Sequence, residues 1–539
     1  MQKRIKMIIL AILLIIFIII GILKYNTNDE YFFKYNGIVY ALSLDGTNVT
    51  SFPNKGLYKV DVSCNGADGK WLYDDWKLEV ENIVSDVSCN IKFNTISKIY
   101  FNDYLTKLSG STQGNGKVIK EIANTFDYST AVPVSKDLYV SKNIISTDKL
   151  TDTNGIDADN VYTFVDDAWT SVSSAMTSKK YYHFKFNPRD SGYYQICYNL
   201  SAGNTNNALK VFVNTTGFWF KYSNGTSNSL PASLSEDRKG CIELGYVDNS
   251  DYIEVVQRAY TNISTLKFNI KKATVTNSFD AGIRFEGKNP NNYVWFNNEY
   301  WRIIGVFDSA SHGQSGKNLV KIIRDDTLDG FAWNKSNSND WTTSSLNKIL
   351  NEAYYNAQDG TNADYCFGGL YVKSNCDYTK TGIQLKYKNM ISNVTWYLGG
   401  YKNDNLGPRT SEIFYALERG TIVYSGNPTT AIGYIGLMYP SDYGYSVLSS
   451  DCARNIDLFS YDNISCAGQS WLYGNGSESV LMHNSSNHNE IIYLDDFGNI
   501  NRGVKVVYGK VSRPVLYLDS SVFVYDGDGS LENPYIIGM

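Results

Sequence analysis

Asn291 to Phe307 reads NNYVWFNNEYWRIIGVF, an apolar, aromatic-rich stretch whose composition predicts β-strand. Further strand signals follow at NLVKIIRD (318–325), AIGYIGLMYP (431–440), EIIYLDD (490–496) and RPVLYL (513–518). Between them NDWTTSSLNKILNEAYYNA (339–357) has helical spacing. Leu346, Ile349, Leu350 and Tyr354 fall on one face, after a capping start at Asp340 with Thr342 and Thr343. SEIFYALERG (411–420) predicts a second helix, ended by Gly420. Residues 279–539 are therefore expected to form one mixed α+β unit.

Upstream the pattern changes to strands alone. In 179–201 and 240–260, runs such as KKYYHFKF, GYYQICYNL and DYIEVVQRAY flank turn residues, including Asn187 to Gly192. TLKFNIKKA (265–273) alternates Leu266, Phe268 and Ile270. Residues 117–274 are expected to be a jelly-roll-like β-sandwich. Leu108 to Gly116, LSGSTQGNG, has the composition of a flexible linker. Before it, Tyr58, Val60, Val62 and Cys64 alternate with polar residues, as do Val87, Cys89, Ile91 and Phe93. Residues 29–107 are expected to be a small β-sandwich with Trp71 and Trp76 in its core. The pattern is loosely immunoglobulin-like, with cysteines too close for an antibody-type domain.

The chain has 8 Cys, and each neighbouring couple falls within one segment. The expected bridges are Cys64–Cys89, Cys197–Cys241, Cys366–Cys376 and Cys452–Cys466. Without a C-x-x-C, zinc-ribbon and thioredoxin readings are weak. An even count in an exported chain favours disulfides.

Export is suggested by the first residues. Lys3, Arg4 and Lys6 precede an unbroken apolar run from Met7 to Leu23, closed by Lys24. The run is slightly short of a spanning helix, but flanking lysines can snorkel. No small-residue cleavage pattern follows it, so residues 1–28 read as an uncleaved signal anchor, with a cleaved signal as the alternative. The basic tip then lies in the cytoplasm and the bulk of the chain outside, single-pass at the cell membrane.

The fold class expected is thus mainly β: an N-terminal transmembrane helix, two β-sandwich modules and a C-terminal α+β domain. Composition agrees. Of 539 residues, 49 Lys and Arg face 54 Asp and Glu, a net charge of −5 that gives nucleic acid no concentrated basic partner. Charged residues are 19% and aromatics 14%, so the surface must be built largely from Asn, Ser, Thr, Gly and Tyr.

In 279–539 an ordered series supports a closer reading: NEYWRIIGV, VKIIRD, DWTTSSLNKILNEAYYN, IGLMYPSDYGYS, SWLYGN, IIYLDDFGNI and SRPVLYL. The series resembles a bacterial membrane-anchored cell-surface protein family, with a C-terminal domain of unknown function. That domain resembles the C-type-lectin-like fold shared with formylglycine-generating-enzyme-like domains. The resemblance implies a twisted antiparallel sheet with one or two helices and long binding loops. It brings no catalytic residues. The closing VYDGDGSLENPYII (524–537) resembles a tail common in such proteins.

Catalytic motifs are missing. G-x-S-x-G, H-E-x-x-H and the P-loop do not occur. His483 and His488, near Glu490, make a poor metal pair in an Asn-rich loop. Asp166 and Asp167 would point to opposite faces of a strand, so a turn is the better reading. Asp526-Gly527-Asp528-Gly529-Ser530 with Glu532 has calcium-like spacing but departs from the EF-hand pattern. A Gly-rich turn is the main reading and calcium the alternative; no other cofactor is expected. Arg513, in a core strand, should be paired structurally. Trp301, Trp341, Trp396 and Trp471 read as core rather than as sugar platforms. Two loops stand out for binding: Asn484 to Asn489 and Ser441 to Ser446. The function expected is an adhesin-like, surface-anchored binding protein for glycan, mucin or a surface protein, without catalysis. An envelope carbohydrate-active enzyme is the first alternative, and a structural or pilin-like subunit the second.

Overall fold

The computed structural model describes residues 32–133 and 266–539 apart from short loops, together with strand segments between 138 and 259. The chain is mainly β, with several sheets and short helices. The anchor run Met7–Leu23 and the Asp166–Asp167 pair lie outside the described residues. Among the described residues no helix is long and apolar enough to cross a membrane.

In the first module, strand Ser88–Thr95 pairs parallel with Ile38–Leu44 and antiparallel with Tyr58–Asn65. Its alternation is strict: Cys89, Ile91 and Phe93 are buried while Lys92 is exposed. Trp71 joins them from the hairpin Asp68–Leu72/Lys77–Glu81, packing edge-on to Phe93 at 5.0 Å between centroids. Trp76 packs on the same cluster.

The disulfides pair each cysteine with its neighbour in sequence: Cys64–Cys89, Cys197–Cys241, Cys366–Cys376 and Cys452–Cys466. Cys64 and Cys89 are direct cross-strand partners in one sheet, as are Cys197 and Cys241. The first pair therefore differs from the immunoglobulin arrangement, where the bridge joins two sheets.

The expected linker is built into the structure instead. Phe101–Lys107 is a helix whose Phe101 and Leu105 are fully buried in the core of the C-terminal head. Thr112–Gln113 folds back on Gly116 and Lys117, and the Gly110 N–H donates to the Val118 carbonyl. Strand Asn115–Pro133 then runs antiparallel to Leu266–Asn289. Because Val118 is fixed opposite Phe285 in the head, the chain between helix and strand must turn tightly.

Leu266–Asn289 spans the expected 274–279 junction without a break, curved by several bulges. Its first half pairs with Gly192–Leu200 of the second segment and its second half with Glu299–Phe307 of the head. The second segment also contains a four-stranded sheet in which Lys180–Phe186, Ile253–Ala259, Ala208–Val213 and Thr216–Phe220 follow one another.

The head has two main sheets. Glu299–Phe307 pairs with Tyr293–Phe296 and Leu319–Arg324, which pairs in turn with Val515–Leu518. A second sheet runs Leu328–Ala332, Gly509–Ser512, Glu478–His483, Glu490–Leu494, Ile500–Lys505. The expected helix begins later than the sequence suggests. Asp340 caps a 3-10 turn at Trp341–Thr343, and Ser344 caps Ser345–Lys348. Leu346, Ile349, Leu350 and Tyr354 are all fully buried. Ser411–Glu418 is helical, with the Thr410 hydroxyl accepting from the Ile413 N–H. Trp301, Trp341, Trp396 and Trp471 are core residues, as their sequence setting suggests.

Candidate functional site

A cleft of about 730 Å³, open solvent at its mouth included, lies between the first module and the head. One wall is the hairpin Asp68–Leu72/Lys77–Glu81 and its turn, which supply Lys70, Trp71, Tyr73, Asp75 and Glu79. The other is the head's edge, with Trp295, Asn298, Lys386, Tyr387, Ile536 and Ile537.

The head wall follows from a hairpin. Asn297 and Asn298 both adopt left-handed backbone, φ 57° and 61°, the requirement of a tight two-residue turn that Asn tolerates. In Tyr293–Phe296, Val294 and Phe296 are buried, so Tyr293 and Trp295 take the opposite face, half-buried. Across the ladder Trp295 stands opposite Tyr300, and on its other side it aligns with Ile536. Trp295 and Tyr300 pack edge to face at 5.1 Å, and Tyr293 meets Tyr300 at 5.9 Å. The guanidinium of Arg302 covers the Tyr293 ring at 4.1 Å. The three rings form an edge-packed cluster, of which Trp295 lines the cleft.

Polar groups border it. The Tyr387 hydroxyl donates to Asn298 Oδ1 at 3.0 Å, which fixes which end of that amide donates. The Lys70 ammonium sits 5.3 Å from the Trp295 centroid. Asp75 pairs with Lys77 at 3.3 Å, on the exposed turn. Behind the wall, the Tyr73 hydroxyl accepts from the Val60 N–H, and burial pushes its titration well up, so it stays neutral. Tyr73 also packs on Tyr525 of the head at 5.0 Å, and Lys59 pairs with Asp526 at 3.2 Å. These contacts hold the two walls together.

The two loops singled out by sequence lie elsewhere. Ser441–Ser446 is interior: Pro440–Gly444 is a short helix buried throughout, so the loop is corrected to a core element. It is buried because Asp442 binds Arg284 and Lys321 inside the head. Asn484 is fully buried, Ser485, Asn487 and Asn489 are partly buried, and Ser486 and His488 are exposed. Asn339 pins that turn by donating to the carbonyls of Asn484, Asn487 and Glu490.

Arg513 is paired as expected, bidentate to Glu478 with a third bond to the Leu472 carbonyl. His483 is buried and accepts from the Tyr424 N–H, while His488 is exposed against the Tyr424 ring. Burial lowers His483 to about 4. Gly527 and Gly529 take left-handed backbone in the Asp526–Asn533 turn, and Asp526 is engaged by Lys59. Among the described residues no group of three or more His, Cys, Asp or Glu is placed to hold a metal.

Trp295 was passed over as a candidate in the sequence, yet its signal was legible, since an aromatic residue between Val294 and Phe296 must face away from the core they fill. The opposing wall was not, because it comes from a module over two hundred residues upstream. In comparisons with known proteins, no family model and no curated protein sequence matches the chain.

Proposed function

We propose that this chain is a surface-anchored, extracellular binding protein and that the cleft between first module and head holds a glycan. The carrying observation is Trp295 in the lining of the cleft, packed edge-on to Tyr300, which in turn meets Tyr293. Sugar rings present apolar C–H faces that stack on aromatic rings, and hydroxyls that need donors and acceptors in fixed places. Asn298, Asp75 and Glu79 supply both around Trp295.

The remaining parts of the reading rest on the sequence. The basic cluster and apolar run at Lys3–Leu23 support a signal anchor with the N-terminus in the cytoplasm. Four disulfides suit an oxidising exterior. In this reading the first two segments are β-sandwich modules and the head is a C-type-lectin-like domain. Its antiparallel sheet, short helices and long irregular connections support that assignment.

The test is binding of the full chain, purified in detergent, to an array of glycans and mucins. Saturable binding to a defined set of saccharides is expected. Uniform failure on every saccharide contradicts the proposal, and turnover of a bound polysaccharide would replace it with the enzyme reading.

A further inference from the structure

The interior of the head holds a charged cluster that shares no residue with the cleft lining. Lys321 lies in the central strand Leu319–Arg324, and Asp442 in the helix Pro440–Gly444; both side chains are 1% exposed. Lys321 Nζ is 2.5 Å from Asp442 Oδ2. The same oxygen accepts from the Tyr439 N–H at 2.9 Å, and Oδ1 accepts from Arg284 Nη1 at 3.0 Å. Aromatic rings close around the amine: Tyr439 at 4.4 Å from Nζ, Phe307 and Tyr517 at 5.6 Å, and Trp396 at 5.8 Å. Nearby, Glu418 is fully buried with Arg419 and with both donors of Ser441.

As an ion pair this is an expensive arrangement. Taking an ammonium and a carboxylate out of water costs several kcal/mol per ion, by the usual estimate of about that size, and attraction only partly offsets it. Burial accordingly lowers Lys321 to about 8, toward the neutral, nucleophilic amine. Burial alone would raise Asp442, but Lys321 and Arg284 outweigh it and hold the carboxyl below the usual range; the contact of Nζ with Oδ2 nevertheless places an amine proton on the oxygen that must leave. Groups held in register inside a dry cavity react as if at about 10⁵ M or more.

We infer that Lys321 and Asp442 condense to an intramolecular amide that cross-links the head's central strand to the Pro440–Gly444 helix. The amine attacks Asp442 Cγ, and a C–N bond forms. Oδ2 takes up two of the three ammonium protons and leaves as water as the C–O bond breaks. Oδ1 remains as the amide oxygen, with Arg284 Nη1 placed to stabilise its charge during attack. Ammonium and carboxylate become a neutral amide and one water, so no oxidant, reductant or co-reactant is required. The product removes two buried charges from the core and locks together residues 121 positions apart. This cross-link is independent of what the cleft binds.

The test is mass spectrometry on the full chain purified in detergent, reduced, alkylated and digested. The expected result is a branched peptide joining the segments around Lys321 and Asp442, one water lighter than their sum. Lys321→Arg, which keeps the positive charge, should yield both segments as linear peptides. Recovery of all Lys321 from the unsubstituted protein in linear, unmodified peptides would overturn the inference. That result is read on the natural chain, so it holds even if the substituted one fails to fold.

Discussion

Tyr300 packs its ring edge-on to Trp295, 5.1 Å between centroids at 85°, across the tight Asn297–Asn298 turn. Both rings stand on the face of the hairpin opposite the buried Val294 and Phe296. Tyr300 is therefore a lateral support for the ring that faces the cleft. Such pairs contribute about 0.5–1.5 kcal/mol beyond simple burial. Tyr300→Ala should lower stability by about 1 kcal/mol in urea unfolding, while Tyr300→Phe should leave it unchanged.

Phe101 and Leu105 are buried in the head, although sequence places them at the end of the first module. Phe101 meets Tyr535 at 5.5 Å, and the Phe101 N–H donates to the Val522 carbonyl. Removing that ring leaves a cavity in the head's core. Phe101→Ala should cost about 3–5 kcal/mol in the head's denaturation midpoint. A loss confined to the first module would show that the helix belongs there instead.

Arg513 and Glu478 form a bidentate pair with side chains 6% and 2% exposed. Removing one partner strands the other charge in the core. Glu478→Gln should cost about 3–5 kcal/mol, whereas the double change Glu478→Leu with Arg513→Met should recover most of it. Chemical denaturation of the three proteins compares these outcomes directly.

His483 is held neutral by burial, and its Nε2 accepts from the Tyr424 N–H. Its folded pKa, about 4, lies below the ordinary 6.5, so between those values the unfolded chain binds the extra proton. Stability from this residue is complete above pH 6.5 and is lost as pH falls toward 4. The loss amounts to about 3 kcal/mol. His483→Gln should flatten that part of the stability profile, measured by urea unfolding between pH 4 and 7. An unchanged slope would show that His483 is protonated in the folded state.

Local features were the legible ones. Disulfide partners lie 10 to 44 residues apart, within one candidate module each, so spacing points to them. Arg513 inside RPVLYL announced a buried pair, because a core strand cannot leave a guanidinium unpartnered. Ser441–Ser446 was misread because Ser, Asp, Gly and Tyr suit both a binding loop and a buried polar helix. Leu108–Gly116 was misread for a related reason: the same residues make a flexible linker or a tight hairpin. The Lys321–Asp442 contact and the two walls of the cleft join distant segments, and no local pattern carries such information.

The most direct test of the account compares the full chain with Trp295→Ala on immobilised glycans and mucin. Trp295 is half-buried at the surface, so its loss should cost about 1 kcal/mol, as for Tyr300→Ala, and leave the protein folded. Binding by Trp295→Ala is expected to weaken by about tenfold or more, as for an aromatic anchor at the centre of a site. Equal binding by the two proteins, with the fold intact in both, would contradict it.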